Sequence, residues 1–229
     1  MLLQPLRNLI AKLGLHLILI SSLILVSLSY SNQVQAQTQI PATTQLQQLL
    51  QQLQSLEGHF EQLTIDARGQ RLHESQGQMR LAKPSKFYWE TLNPYPQIVV
   101  SNGRQLWIYD PDLEQVSIQP LDTNLSNTPA IILTGQAQDL AQQFTINLSQ
   151  DPNTDNTITF TLHPKQADSL FELLQLEFVN DKINALQLTD SLGQKTRIDL
   201  HLDNYNQPLP EAVFEFIPPA GVDILQEQP

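Results

Sequence analysis

The chain has no cysteine at all. Without thiols there is no disulfide framework, no thiolate nucleophile and no cysteine-ligated metal, so the folded state has to rest on an apolar core. Acylation at an amino-terminal cysteine, the route by which lipoproteins are anchored, is not expected either. Glycine is scarce, eight residues in 229, and none forms a phosphate-cradling loop or a G-x-S-x-G nucleophile elbow. An H-E-x-x-H zinc pair is missing too. Basic residues are short: 12 Lys and Arg face 23 Asp and Glu, a net charge of −11 at pH 7. Nucleic acids and anionic membrane surfaces attract Lys and Arg, so this balance disfavours both and suits basic partner surfaces. His59, His73, His163 and His201 are scattered, with no pair at helical i, i+4 spacing. No metal, cofactor or catalytic centre is expected from them.

One long apolar run is present, near the start. Arg7 and Lys12 precede Leu13 to Leu28, interrupted by Gly14, His16 and a few serines, and Val34-Gln35-Ala36 follows. A basic start, an apolar stretch too short to span a bilayer comfortably and small residues three and one before a cut site predict a signal peptide over 1–36, cleaved after Ala36. The expected destination is the periplasm. Residues 37–229 then have the length of one domain, soluble and monomeric.

Past a lead-in at 37–43, Leu46, Leu49, Leu50, Leu53 and Leu56 recur at three-and-four spacing, predicting an amphipathic helix with Thr43 or Thr44 as N-cap. From Gly58 the period becomes two. Phe144, Ile146 and Leu148 alternate with polar residues, as do Ile158, Phe160 and Leu162, then Ile198, Leu200 and Leu202, each the pattern of an antiparallel strand buried on one face. Asn102-Gly103 is a strong hairpin signal and Asn180-Asp181 a weaker one. A second, short helix is expected after Thr128, with Pro129 in its first turn and Gly135 as its stop. The fold class read from this is α+β, mainly antiparallel β, with the helices covering a curved open sheet.

Two stretches stand apart from ordinary strand pattern. In the Asn102-Gly103 hairpin, Ile98, Val100, Trp107 and Tyr109 share one face while Val99, Leu106 and Ile108 share the other, so both faces are apolar and both need a cover or a ligand. In RLAKPSKFYWE, residues 80–90, an unbroken pleat puts Lys83 on the same side as Leu81, Phe87 and Trp89. Asp110 and Asp112 form the best acid pair, but Asp-Pro-Asp is also ordinary turn chemistry. A periplasmic hydrolase using these two carboxylates is kept as an alternative.

Several strings taken together resemble a known family. They are Gly58-His59-Phe60-Glu61-Gln62, Gly77, Lys83-Pro84 with Phe87-Tyr88-Trp89, Asn93-Pro94, the run from Asn102 to Val116, and Phe214 to Asp223. This set is similar to the periplasmic outer-membrane lipoprotein carriers, the LolA family, over essentially the whole chain after the leader. The resemblance implies an incomplete, half-open β-barrel of about 11 strands closed by a helical lid. It implies a chaperone rather than an enzyme, with no cofactor. The chaperone would take triacylated lipoproteins from an inner-membrane ABC transporter complex and deliver them to an outer-membrane lipoprotein receptor. The receptor, which shares the fold, is itself lipid-anchored and is excluded by the missing cysteine; a stress-sensing lipid-binding module of the same fold carries a further domain.

By the same resemblance Lys83 occupies the position of an arginine that hydrogen-bonds the lid and holds it shut. Lysine offers three donors on a flexible stem where arginine offers five in a rigid fork, so a looser latch is expected. The expected wall of the hydrophobic cavity comprises Leu81, Phe87, Trp89, Ile98, Val100, Trp107 and Tyr109, with Leu46, Leu49, Leu53 and Leu56 beneath the lid helix.

Overall fold

A computed structural model describes residues 40–121, 129–134, 140–150, 156–166, 169 and 171–226. The leader at 1–36, the capping role of Thr128 and the stop at Gly135 lie outside them. From Ile40 onward the chain forms one compact unit. Its frame is a single sheet of twelve strands: β1 (Ser55–Ile65), β2 (Arg71–Ala82), β3 (Lys86–Asn93), β4 (Gln97–Asn102), β5 (Gln105–Asp110), β6 (Gln115–Pro120), β7 (Phe144–Gln150), β8 (Thr157–Pro164), β9 (Leu173–Val179), β10 (Lys182–Thr189), β11 (Lys195–Tyr205) and β12 (Asp223–Gln226). Their spatial order is β12-β6-β5-β4-β3-β2-β1-β11-β10-β9-β8-β7. The sheet is therefore open, with β12 and β7 as its edges.

Most of this order is a meander, because short turns bring consecutive antiparallel strands side by side. Two pairings are not local. The long antiparallel ladder of β1 with β11, from Leu56 opposite Tyr205 to Ile65 opposite Lys195, joins two meanders into one sheet. The twelfth strand, one more than the sequence suggests, runs parallel to β6 with Asp223 opposite Gln115. It is four residues long and exposed throughout, so it carries no buried period by which to read it.

The turns follow their residues, with one shift. Asn180-Asp181 is a two-residue loop with both residues at positive φ, +50° and +63°, the mirror-image turn that suits strand twist. At the other hairpin the loop residues are Gly103 and Arg104, because Val100 pairs with Trp107 and Ser101 with Leu106. Gly103 takes φ +89°, and Asn102 contributes through its side chain, accepting from the N–H groups of Arg104 and Gln105 at 3.0 Å each.

Among the described residues three α-helices accompany the sheet: α1 (Ala42–Gln52), α2 (Pro129–Thr134) and α3 (Leu140–Gln143). The first helix begins earlier than expected and at a different cap. Pro41 precedes it without a side-chain cap bond, its fixed φ favouring the helical start, so neither Thr43 nor Thr44 caps it. It also ends sooner: Leu53 is its extended C-cap, and Leu56 belongs to β1, opposite Leu81. Pro129 does open α2.

The larger apolar cluster lies beneath the helices. Leu46, Leu49 and Leu50 of α1, Leu53, and Ile132 and Leu133 of α2 pack on Leu56, Phe60, Met79, Leu81 and Phe87, and on Phe160, Leu162, Leu176 and Phe178 from the other meander. All the strand residues named belong to one face of the sheet, the inner face. Gly77 makes room there: a Cβ at this position would lie 2.7 Å from the Phe60 ring, which instead crosses to stack on Trp89 at 4.1 Å. Burying four lid leucines contributes on the order of 1.5–3 kcal/mol apiece.

Candidate functional site

The lid meets the sheet at the β2–β3 turn, Lys83-Pro84-Ser85. Here the pleat of RLAKPSKFYWE is broken, since β2 ends at Ala82 and β3 begins at Lys86. The Lys83 side chain still reaches the lid: its Nζ donates to the carbonyl oxygen of Leu50 near the end of α1. The Lys83 N–H donates to the Gln54 carbonyl at 3.0 Å, and the Ser85 N–H to the Thr134 carbonyl at the end of α2 at 3.1 Å. Burial holds the Lys83 ammonium below the usual lysine range, because removing the head from water disfavours its charged form. A C-terminal helix carbonyl is a suitable partner for a cation, being the negative end of the helix dipole. The protein thus seats two helices on its inner face and fixes their ends at one three-residue turn.

That turn is supported from the next hairpin. Ser101, fully buried, donates from Oγ to the Ser85 carbonyl at 2.9 Å and accepts from the Gly103 N–H at 3.1 Å. On the outer side, Lys86 Nζ pairs with Glu211 at 2.6 Å. Neither Ser85 nor Ser101 stands out in the sequence, since a serine beside a turn is commonplace. The only hint is the position of Ser101 among alternating apolar residues.

The predicted wall residues fall into two groups. Leu46, Leu49, Leu53, Leu56, Leu81 and Phe87 are buried in the inner cluster, and Trp89 packs against it. Ile98, Val100, Trp107 and Tyr109 lie on the opposite face of the sheet, in a second cluster with Tyr88, Val116, Ile118, Phe216 and Val222. The other face of that hairpin, Val99, Leu106 and Ile108, joins the inner cluster. Strand alternation fixes the separation; what covers the outer side is the segment after β11, which passes through a 3-10 turn at Glu211–Phe214, sets Phe216 against Tyr109 at 5.6 Å and returns as β12.

Several of the polar candidates are engaged in turn and strand contacts. Asp110 Oδ1 accepts from the Leu113 N–H at 3.1 Å, closing the β5–β6 turn. His59 and His201 stack across β1 and β11 with ring centroids 4.9 Å apart, and His73 stacks on Tyr95 at 6.2 Å. No group of three or more His, Asp or Glu residues able to hold a metal ion occurs among the described residues. A groove of about 510 Å³ beside His59 is lined by Glu57, Glu61, Arg80 and Asp203 together with Phe60 and Leu92, a mixed lining rich in charge. The inner face is the apolar surface that the lid leucines cover.

Comparison with known proteins adds to this. The family model described as outer membrane lipoprotein carrier protein LolA matches residues 51–217. The outer-membrane lipoprotein carrier protein of Chromohalobacter salexigens is 43% identical over 192 residues, covering 84% of this chain and 90% of that one. Its counterpart from Pseudomonas paraeruginosa is 39% identical over 209 residues, 91% and 99% of the two chains. Among solved structures, a LolA superfamily protein from Nitrosomonas europaea superposes more loosely, with a TM-score of 0.44 at 13% identity over 77% of this chain and 99% of that one.

Proposed function

The chain belongs to the LolA family of outer-membrane lipoprotein carrier proteins, and from that premise we propose that it binds lipoprotein acyl chains on the inner face that α1 and α2 cover. The observation that carries this reading is the seating of Leu46, Leu49, Leu50 and Leu53 over an apolar face by helices held at their ends at a single turn. An exposed acyl chain costs about 0.8 kcal/mol per methylene in water, so a triacylated protein needs such a cover to cross an aqueous space. Displacing the lid leucines from that face offsets part of the gain from burying acyl chains, which suits a carrier that must also release.

In this reading Lys83 is the latch, and Leu46, Leu49, Leu53, Leu56, Leu81, Phe87 and Trp89 contact the chains. The inner-facing Val99, Leu106 and Ile108 take the wall role that Ile98, Val100, Trp107 and Tyr109 were assigned. Residues 1–36 direct export and are removed, and the single domain 37–229 works in the periplasm as a monomer. It receives cargo from an inner-membrane ABC transporter complex and yields it to an outer-membrane receptor that grips acyl chains more tightly. It is a chaperone without catalytic chemistry: the best acid pair includes Asp110, whose carboxylate closes a turn.

The test incubates the purified protein with a fluorescent triacylated lipopeptide. Wild type is expected to bind saturably, and Lys83→Leu to bind and release faster because the ammonium–carbonyl bond is gone. A wild type with no saturable binding refutes the carrier reading; unchanged kinetics in Lys83→Leu refute the latch.

A further inference from the structure

The two lid helices are tied down by different groups. Lys83 reaches the end of α1 through its side chain and Gln54, just beyond it, through its N–H. From the same turn, the Ser85 N–H donates to the Thr134 carbonyl of α2. Ser85 sits at φ +53°, a left-handed conformation that a non-glycine residue keeps only when its surroundings hold it. The group holding it is the hydroxyl of Ser101, which fixes the Ser85 carbonyl from one side while accepting from Gly103 on the other. The two turns are packed close, for a Cβ at Gly103 would come within 3.1 Å of the Pro84 carbonyl oxygen. Ser101 itself lies on the inner face, opposite Phe87 and Leu106, at 0% exposure. A hydroxyl buried there is costly unless it is fully bonded.

We infer that Ser101 is a positioning residue for the lid: by fixing Ser85 it aims the N–H that tethers α2, so that α2 and α1 are released separately, α1 through Lys83. This rests on the reading of α1 and α2 as a lid that opens.

Amide hydrogen exchange on the intact, empty protein tests this without any cargo. Ser101→Ala is expected to speed exchange at the Ser85 amide by about tenfold, the worth of roughly one hydrogen bond, while the Lys83 amide, bonded to Gln54, keeps its protection. Ser101→Thr retains the hydroxyl and is expected to keep the Ser85 amide slow. Lys83→Leu is expected to leave the Ser85 amide unchanged. Equal acceleration of both amides in Ser101→Ala overturns the inference, as does an unchanged Ser85 amide. Failure of Ser101→Ala to fold while Ser101→Thr folds also overturns it, because the hydroxyl would then support the whole domain rather than one tether. Failure of lipopeptide binding in wild type would instead strike the carrier reading and leave the exchange result standing.

Discussion

The two meanders of this sheet bury apolar surface in different ways. In β7 to β11 the strands are apolar on one face and carry Thr157, Thr159, Thr161, Gln175, Glu177, Gln187 and Arg197 on the other, where Arg197 pairs with Glu177 at 3.3 Å and Asp199 at 2.8 Å. In β3 to β6 both faces are apolar. The inner one joins the core under the lid, and the outer one, Tyr88, Ile98, Val100, Trp107, Tyr109, Val116 and Ile118, is closed by Phe216 and Val222 from the segment after β11. A strand apolar on both sides therefore does not by itself mark a ligand wall. It marks a need for two covers, and here the chain's own carboxyl-terminal stretch supplies one of them.

That contrast can be broken from either side. The largest effect is expected from Phe160→Ala in the one-faced meander, where the ring is fully buried and edge-on to Phe178 at 5.7 Å. The loss should be about 3–5 kcal/mol in urea denaturation, lowering the whole transition. Trp107→Ala, in the outer cluster, should cost near the low end of the same range, about 3 kcal/mol, because the covering segment can settle into part of the space. Limited proteolysis should then cut within residues 211–222, while lipopeptide binding stays as in wild type. Weakened lipopeptide binding would mean that Trp107 does serve the cavity.

Lys86→Ala removes the ion pair with Glu211, whose carboxylate is largely exposed, so about 0.2–1 kcal/mol is expected, shrinking further in high salt. The last effect is absent at neutral pH and confined to the alkaline range. Burial, reinforced by its hydrogen bond to Glu90, pushes the Tyr88 phenol up to about 12. The folded protein keeps that proton above pH 10, where an unfolded tyrosine loses it. Stability is thus fully present below about pH 10 and falls as pH rises toward 12. Tyr88→Phe should flatten that part of a stability-versus-pH profile, and an unaltered slope would show that the outer cluster does not shield position 88.

Legibility in the sequence tracked the range of the interaction. The alternation at Ile158, Phe160 and Leu162 is visible because each residue reports its own face, and all three are buried as the period requires. The helical spacing at Leu46, Leu49, Leu50 and Leu53 was equally plain, but it ran on through Leu56 by coincidence. A strand residue four positions past a helix can keep the spacing when both bury on the same core. The family strings picked out Lys83-Pro84, but as part of an unbroken strand, where the structure has a turn between β2 and β3; no local signal marked Ser101 or Ser85, whose roles depend on two hairpins meeting.

The sequence by itself determined the one-faced strands, the apolar stripe of α1, the acidic balance and the absence of thiol chemistry, because each follows from a residue and its near neighbours. Only the tertiary structure decided which side of the Trp107 hairpin looks inward, that Lys83 finds the Leu50 carbonyl, and that a four-residue strand beyond β11 adds an edge to the sheet beside β6. Those outcomes join residues distant along the chain, and a pleat, which distinguishes two faces, carries no label saying which of them is inside.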